Sequence, residues 1–465
     1  MNETSNRKKL LVGTGIYAVG TFGTKILMFL IAPLYTYYLS TSEFGTYDVL
    51  ISTIGLLIPI ISLQIADAVY RFVIREDAAD LSYVCITYQF LVVSSIITTV
   101  VIVFLNRFID IPYFLYFLGA LFSALFFQIS QRILRGLKRQ WLFAVSGIVY
   151  TVVFLLLNII QLCILHKGVE SLFLSYIIAN LFGITTVFLF EKRLLFNLFT
   201  KPDLEKLKSL LRLSIPLIPN YLSWWIIDSS DKYIVLWFLG ASANGVLGIT
   251  HKFPAILQSV FGLFLNSWQD LAIASDKSES EFFTSVFQKL YSFSFMLLWV
   301  LIPITKVFVM LVMESSYKIA SNYIPFYYLG AVFSAFCSFY GVGYLRSKNT
   351  GGAFTSSFYA ALINAIVNIG LIKTVGLHAA AVSTFVALFV MWLIRVKHNK
   401  KELEIIIERK RFISLLTIDI SLCIISIIGG FTINCVLAVL GVLGFIYFSK
   451  AEIIAIVNLV KKHKG

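Results

Sequence analysis

Five ionisable side chains stand inside long apolar stretches of this sequence: Lys25, Asp228, Asp231, Lys232 and Lys252. A charged group in hydrocarbon is costly, so such residues face a water-filled cavity or a partner and mark ion or substrate paths. Their chemistry is electrostatic: an ammonium attracts an anion, and a carboxylate attracts a cation or a proton. Lys25 lies about 15 residues into its stretch, roughly 22 Å along a helix, too deep for its stem to carry the charge fully back to water. It reads either as a cavity-facing ammonium or as the partner of Asp228, which lies equally far into the seventh stretch; the two are compatible. Asp228 and Lys232 are four apart and share a helix face. A turn near Ser242 brings Lys252 back to the depth of Asp231. A purely structural ion network accounts for the same residues. Asp67, Arg71 and Lys306 sit nearer the ends of their stretches. Arg71 reads as a cation at a cavity mouth or as a topology charge, with Asp67 four residues before it as a possible partner.

No bond-making chemistry accompanies these charges. HExxH, GxSxG, a Walker loop and a dinucleotide fingerprint are all missing from the sequence, and its five histidines are scattered. The five cysteines, Cys85, Cys163, Cys337, Cys423 and Cys435, lie within or beside apolar segments at no metal-ligand spacing and read as small packing residues. A resident cofactor is not expected, although a proton or sodium ion could couple through Asp228 or Asp231.

The elements that position these charges follow from composition. Hydrophobic residues make up 59% of the 465 and charged residues 13%, about half the usual charged share of a soluble domain. That surplus of apolar surface is arranged in blocks about 20 residues long, the length of a membrane-crossing helix. The blocks predict an all-α integral membrane protein of about fourteen helices, at about 10–39, 47–69, 82–105, 112–132, 142–165, 170–190, 213–239, 245–267, 284–312, 323–345, 352–372, 377–395, 412–429 and 433–449. The first, preceded by Arg7, Lys8 and Lys9, is too long and lacks a cleavage site for a signal peptide.

The net charge of +14 would suit a nucleic-acid ligand, but its distribution excludes one. Lys and Arg concentrate in alternate connections, at 7–9, 71–75, 132–139, 192–212 and 395–411. That is the positive-inside pattern and places both termini in the cytoplasm. The two longest polar connections divide the chain into an N-terminal six-helix lobe (1–195), a linker (196–212), a C-terminal six-helix lobe (213–396), a basic loop (397–411) and a final pair of helices with a tail (412–465). An internal repeat agrees. LSTSEFG at 39–45 matches LGASANG at 239–245, and Leu134, Arg135, Phe143 and Ser146 match Leu345, Arg346, Phe354 and Ser357. Six crossings per half predict a pseudo-two-fold axis along the membrane normal, with a cavity between the halves. Pro33, Pro59 and Pro254 are the hinge candidates, and Pro216 and Pro219 shape the start of the seventh helix.

The run PLYTYYLS at 33–40, Glu43 to Gly45, Tyr70-Arg71-Phe72, Leu134-Arg135-Gly136, SIPLIP at 214–219, Ser230-Asp231-Lys232, Gly245 and His251-Lys252 resemble the bacterial O-antigen and polysaccharide flippases of the Wzx type. Those proteins belong to the MOP superfamily, with the MATE exporters and the peptidoglycan lipid flippases. The resemblance implies a V-shaped, two-lobed transporter in the bacterial inner membrane. Its cargo would be an undecaprenyl-diphosphate-linked oligosaccharide, turned from the cytoplasmic to the outer leaflet by alternating access. Lys25, Lys252, Lys232 and Arg71 would then be the cations that accompany the diphosphate. Lysine acts on phosphate as a point charge, so Lys25 and Lys252 imply attraction more than geometric selection. The implied partners are the lipid-linked glycan, membrane lipids, and a polysaccharide polymerase with its chain-length machinery; the chain itself is expected to be a monomer.

Three alternatives stay open. A MATE-type ion-coupled exporter needs a net acidic cavity, in which Asp228 and Asp231 outweigh the lysines. A flippase for another polyprenyl-linked lipid, such as the peptidoglycan precursor, needs the same cations. A membrane-embedded polymerase needs a large outer loop, and every outer loop here is short.

Overall fold

The computed structural model describes residues 29–75, 81–196, 201–274, 280–347 and 349–448. Lys25 and the N-terminal basic cluster lie outside the described residues. Among those described there is no strand, as expected where a backbone must satisfy its own hydrogen bonds in lipid. The chain divides into two compact units, Met1–Trp225 and Ile226–Gly465. The helices are α1 (Ala32–Tyr38), α2 (Thr41–Ile61), α3 (Ile65–Arg75), α4 (Ser82–Asn106), α5 (Phe114–Gly136), α6 (Gln140–Ile159), α7 (Val169–Phe190), α8 (Arg193–Phe196), α9 (Leu204–Ser214), α10 (Ile218–Ala274), α11 (Ser280–Val312), α12 (Ile324–Arg346), α13 (Thr350–Val375), α14 (His378–His398), α15 (Lys400–Leu403), α16 (Arg409–Ile428) and α17 (Phe431–Phe448). Twelve helical stretches among the described residues are long and apolar enough to cross a membrane. One of them runs through α10 and is interrupted by a backbone break at Gly240, and the first predicted span begins before residue 29.

In the first unit the predicted second span is two helices. It stops at Ile61, and Leu63 (φ 47°) and Gln64 (φ 58°) adopt left-handed backbone before α3 begins. The periodicity of α3 explains the division. Ile65, Ala68, Val69 and Val73 are buried, so a stripe at i, i+3, i+4 and i+8 lies on the protein while the opposite face is polar. This amphipathic helix packs on α5, where a Cβ added at Gly136 would come within 3.3 Å of Val73. The expected neighbour of Asp67 is also corrected: its carboxylate lies 3.4 Å from the guanidinium of Arg132 on α5. At the other end of the unit, Pro216 stands in a short 3-10 turn, Ile215–Leu217, between α9 and α10.

The repeat appears as equivalent breaks. Leu39 and Ser40 interrupt the chain between α1 and α2, where Ser40 and Glu43 form a capping box: the Ser40 hydroxyl accepts from the Glu43 backbone N–H, and the Glu43 carboxylate accepts from that of Ser40 at 2.9 Å. Two hundred positions on, the break falls at Gly240, with φ 85° and ψ 176°. Only glycine adopts that region readily, so Gly240→Ala is expected to cost about 1 to 3 kcal/mol, read as a lowered midpoint in thermal unfolding of the detergent-solubilised protein. The second echo is local too. Arg135 and Arg346 each occupy the last turn of their helix, α5 and α12, where a cation suits the negative end of the dipole. Ser146 and Ser357 are both buried.

The second unit is centred on aromatic side chains. Phe287, Phe295, Phe333, Phe336 and Phe339 are all fully buried, and Trp268 stacks on Phe339 at 4.0 Å while its indole N–H donates to the Phe339 carbonyl at 3.1 Å. The final pair, α16 and α17, packs against α11 within this unit. Lys306 of α11 holds α16 by its end: its ammonium donates to the carbonyls of Ser426 at 2.7 Å and Ile427 at 3.1 Å, and to Asn322 Oδ1 at 2.8 Å. Lys306 is thus engaged in tying helices together. Arg395, read from sequence as a topology charge, is likewise buried, and its guanidinium donates to the Cys337 carbonyl at 2.7 Å and to Ser356 Oγ at 3.2 Å. Its position near the end of α14 satisfied the loop-charge pattern while its side chain turned inward.

Candidate functional site

The candidate site is built on the two arms of α10 that flank Gly240. Asp231 lies nine residues before the break and His251 eleven after it. On a straight helix twenty residues would separate them by roughly 30 Å, yet His251 Nε2 is 3.1 Å from Asp231 Oδ2. Gly240 therefore makes a tight hairpin. The residue brought onto Asp231 is His251, one position before the Lys252 that the sequence suggested.

Helical phase sorts the two aspartates. Ile227, Asp231 and Val235 recur at intervals of four and are all buried, so Asp231, 1% exposed, belongs to the packed face. Asp228 sits off that stripe and is exposed. Lys232 is buried, and Lys252 is half-buried on the second arm. His251 and Lys232 both lie within electrostatic range of Asp228 and Asp231. Two acids thus share their compensating cations, one acid inside the protein and one open.

A second helix completes the arrangement around Asp231. The Tyr327 hydroxyl of α12 donates to Asp231 Oδ2 at 2.6 Å, and its ring meets the His251 ring edge-on at 4.5 Å. The other carboxylate oxygen, Oδ1, is buried without a hydrogen-bond partner among the described residues. Next to Asp231, the Ser230 hydroxyl donates to Asn364 Oδ1 on α13 at 3.2 Å, and the Asn364 amide donates to Thr384 Oγ1 on α14 at 3.2 Å. Asn368, one turn beyond Asn364, is fully buried, and neither its amide nitrogen nor its oxygen has a partner among the described residues. Four helices therefore contribute polar groups to one region of the second unit, where the unmatched carboxylate oxygen can receive a proton or a small cation and the Asn368 amide oxygen can ligate a cation.

The other sequence-derived candidates lie elsewhere. Arg71 is exposed on α3, in the first unit. Pro33 stands in the first turn of α1, Pro59 lies inside α2 just before the left-handed pair, and Pro254 lies inside α10. Sequence reasoning missed Tyr327, Asn364 and Thr384 as site residues. Asn364, Asn368 and Thr384 left a usable signal, as polar residues in apolar spans. Tyr327 left none among 23 tyrosines.

A family model described as polysaccharide biosynthesis protein matches residues 10–268. No curated protein matches the sequence. Among solved structures, one described as the lipid II flippase MurJ in an inward closed conformation superposes with a TM-score of 0.70 at 15% identity, over 94% of this chain and 99% of that one. An inward-facing multidrug resistance MATE family transporter of the MOP superfamily gives 0.64 at 13% identity, over 86% and 99%. At such identities the likeness is one of fold.

Proposed function

Since the chain belongs to the polysaccharide biosynthesis protein family, we propose that it is a flippase. Its cargo is a polyprenyl-diphosphate-linked oligosaccharide, moved from the cytoplasmic to the outer leaflet of the bacterial inner membrane by alternating access. The observation that carries this reading is the cluster on α10. Asp231 and Lys232 are buried within a membrane-spanning helix, and His251 is held against Asp231. Ionisable groups inside a membrane span are costly and mark ion or substrate paths.

In this reading the lysines and the acids have separate tasks. Lys252 and Lys232, with Lys25 and Arg71, lower the barrier that a diphosphate meets in a low-dielectric region. Asp231 and Asp228 take up a proton or sodium ion whose gradient drives the cycle, and the paired His251 and Tyr327 hold Asp231 in one orientation. The proline in the second arm of the hairpin, Pro254, and those at 33 and 59 supply flexure points. The fold shared with a lipid flippase supports a lipid cargo, and the family supports a glycan on it.

The test is export in cells whose surface glycan depends on this chain. Lys25→Ala and Lys252→Ala are each expected to lower surface glycan severalfold with the protein still present in the membrane. Normal export in both variants would end the cationic reading. Drug efflux lost in Asp228→Asn alongside unchanged glycan would transfer the chain to the exporter class.

A further inference from the structure

A cavity of about 680 Å³ opens where α14 ends and α16 begins. It lies within the second unit, at the level where two membrane spans meet their polar connector, and it is separate from the cluster around Asp231. Its floor is apolar, formed by Phe389, Trp392, Phe412 and Leu416. Trp392 and Phe412 stack at 4.9 Å with an interplanar angle of 15°. Its rim carries Lys397, Lys400 and Arg409, all three exposed. The connector that walls one side is fastened down, since the backbone N–H of Ile406 donates to Thr284 Oγ1 at 3.1 Å.

Tyr340 and Trp392 both line this cavity and are 2% and 4% exposed. The Tyr340 hydroxyl and the Trp392 indole N–H are buried with no hydrogen-bond partner among the described residues. A cavity with three cations on its rim asks for a negatively charged occupant. The apolar floor asks that the occupant also carry hydrocarbon.

We infer that this cavity is a binding site for an anionic glycerophospholipid of the surrounding bilayer. The phosphate lies among Lys397, Lys400 and Arg409, and one acyl chain runs over Phe412 and Leu416. The location favours a lipid over a soluble phosphate, because the floor is continuous with membrane-spanning helices, and juxtamembrane lysines and arginines draw anionic headgroups. Three glutamates, Glu402, Glu404 and Glu408, share the connector, but none of them lines the cavity. The inference does not depend on what the protein transports.

Native mass spectrometry of the delipidated protein, titrated with phosphatidylglycerol, phosphatidylcholine or inorganic diphosphate, tests it. One phosphatidylglycerol is expected to bind at least tenfold more tightly than phosphatidylcholine, and high salt is expected to erase that preference. The combined variant Lys397→Gln, Lys400→Gln and Arg409→Gln, all at exposed positions, should bind phosphatidylglycerol roughly a hundredfold more weakly, since each cation near an anionic surface contributes about fivefold. Equal affinity for the two lipids overturns the inference, and that comparison needs no variant. Unchanged binding by the charge variant overturns it too. Binding of inorganic diphosphate as tight as that of phosphatidylglycerol assigns the site to a soluble anion and overturns the lipid.

Discussion

Asp231→Asn is expected to leave the protein folded and in the membrane while surface glycan export falls about a hundredfold. The amide keeps an oxygen to accept from Tyr327, so the packing around it survives, but it cannot carry the negative charge that His251 and Lys232 surround. Asp231→Ala removes the acceptor as well. His251 and Tyr327 then face a void, and leaving the buried Tyr327 donor without its acceptor costs about 1 to 3 kcal/mol. The two substitutions therefore separate. Asparagine should cost export with little change in thermal unfolding, and alanine should cost both. If asparagine retained full export, Asp231 would be a packing residue and the coupling role would have to pass to Asp228, which is exposed and faces away from the buried stripe.

The second large effect is expected at Lys306. In Lys306→Met the side-chain volume is nearly kept, but the ammonium that donates to the Ser426 and Ile427 carbonyls is gone. Those carbonyls belong to the last turn of α16, where no backbone N–H remains to donate to them; the Asn434 amide still donates to the Ser426 carbonyl at 3.2 Å. The loss is set at about 2 to 3 kcal/mol, the range for hydrogen bonds that involve a charged group. It should appear as a lower unfolding midpoint and as faster proteolysis of the connector before α16, with residual export per folded molecule unchanged. A large drop in export without a change in stability would instead place Lys306 on the transport path.

The periodicity of apolar blocks was enough to read the all-helical architecture, because a lipid environment leaves so few solutions for the backbone. Where the reading slipped, the cause is local. The span predicted at 47–69 looked continuous because α2 and α3 are both apolar on average, and the left-handed pair at Leu63 and Gln64 carries no glycine to announce it. The acids of the site were legible as charges in apolar stretches, and the hairpin was legible from the turn at 239–245. The identity of the partner on Asp231 was not, since a hairpin joint one or two residues from its expected centre changes which side chain arrives. Tyr327 comes from a helix almost a hundred positions away, and no local pattern connects it to Asp231. Arg395 misled for a related reason: its place in the chain is that of a loop charge, and only the rotamer reveals that it is buried.

The joint at Gly240 also constrains length. Each residue added to either arm would turn the helix by about 100° and advance it 1.5 Å, so one insertion between Asp231 and His251 carries the histidine to another face of its arm. Ordinary connections between helices tolerate such changes. Here the interval of twenty positions acts as a gauge: the chain can vary in composition across it but not in count, and the meeting of acid and imidazole is written in phase rather than in any motif.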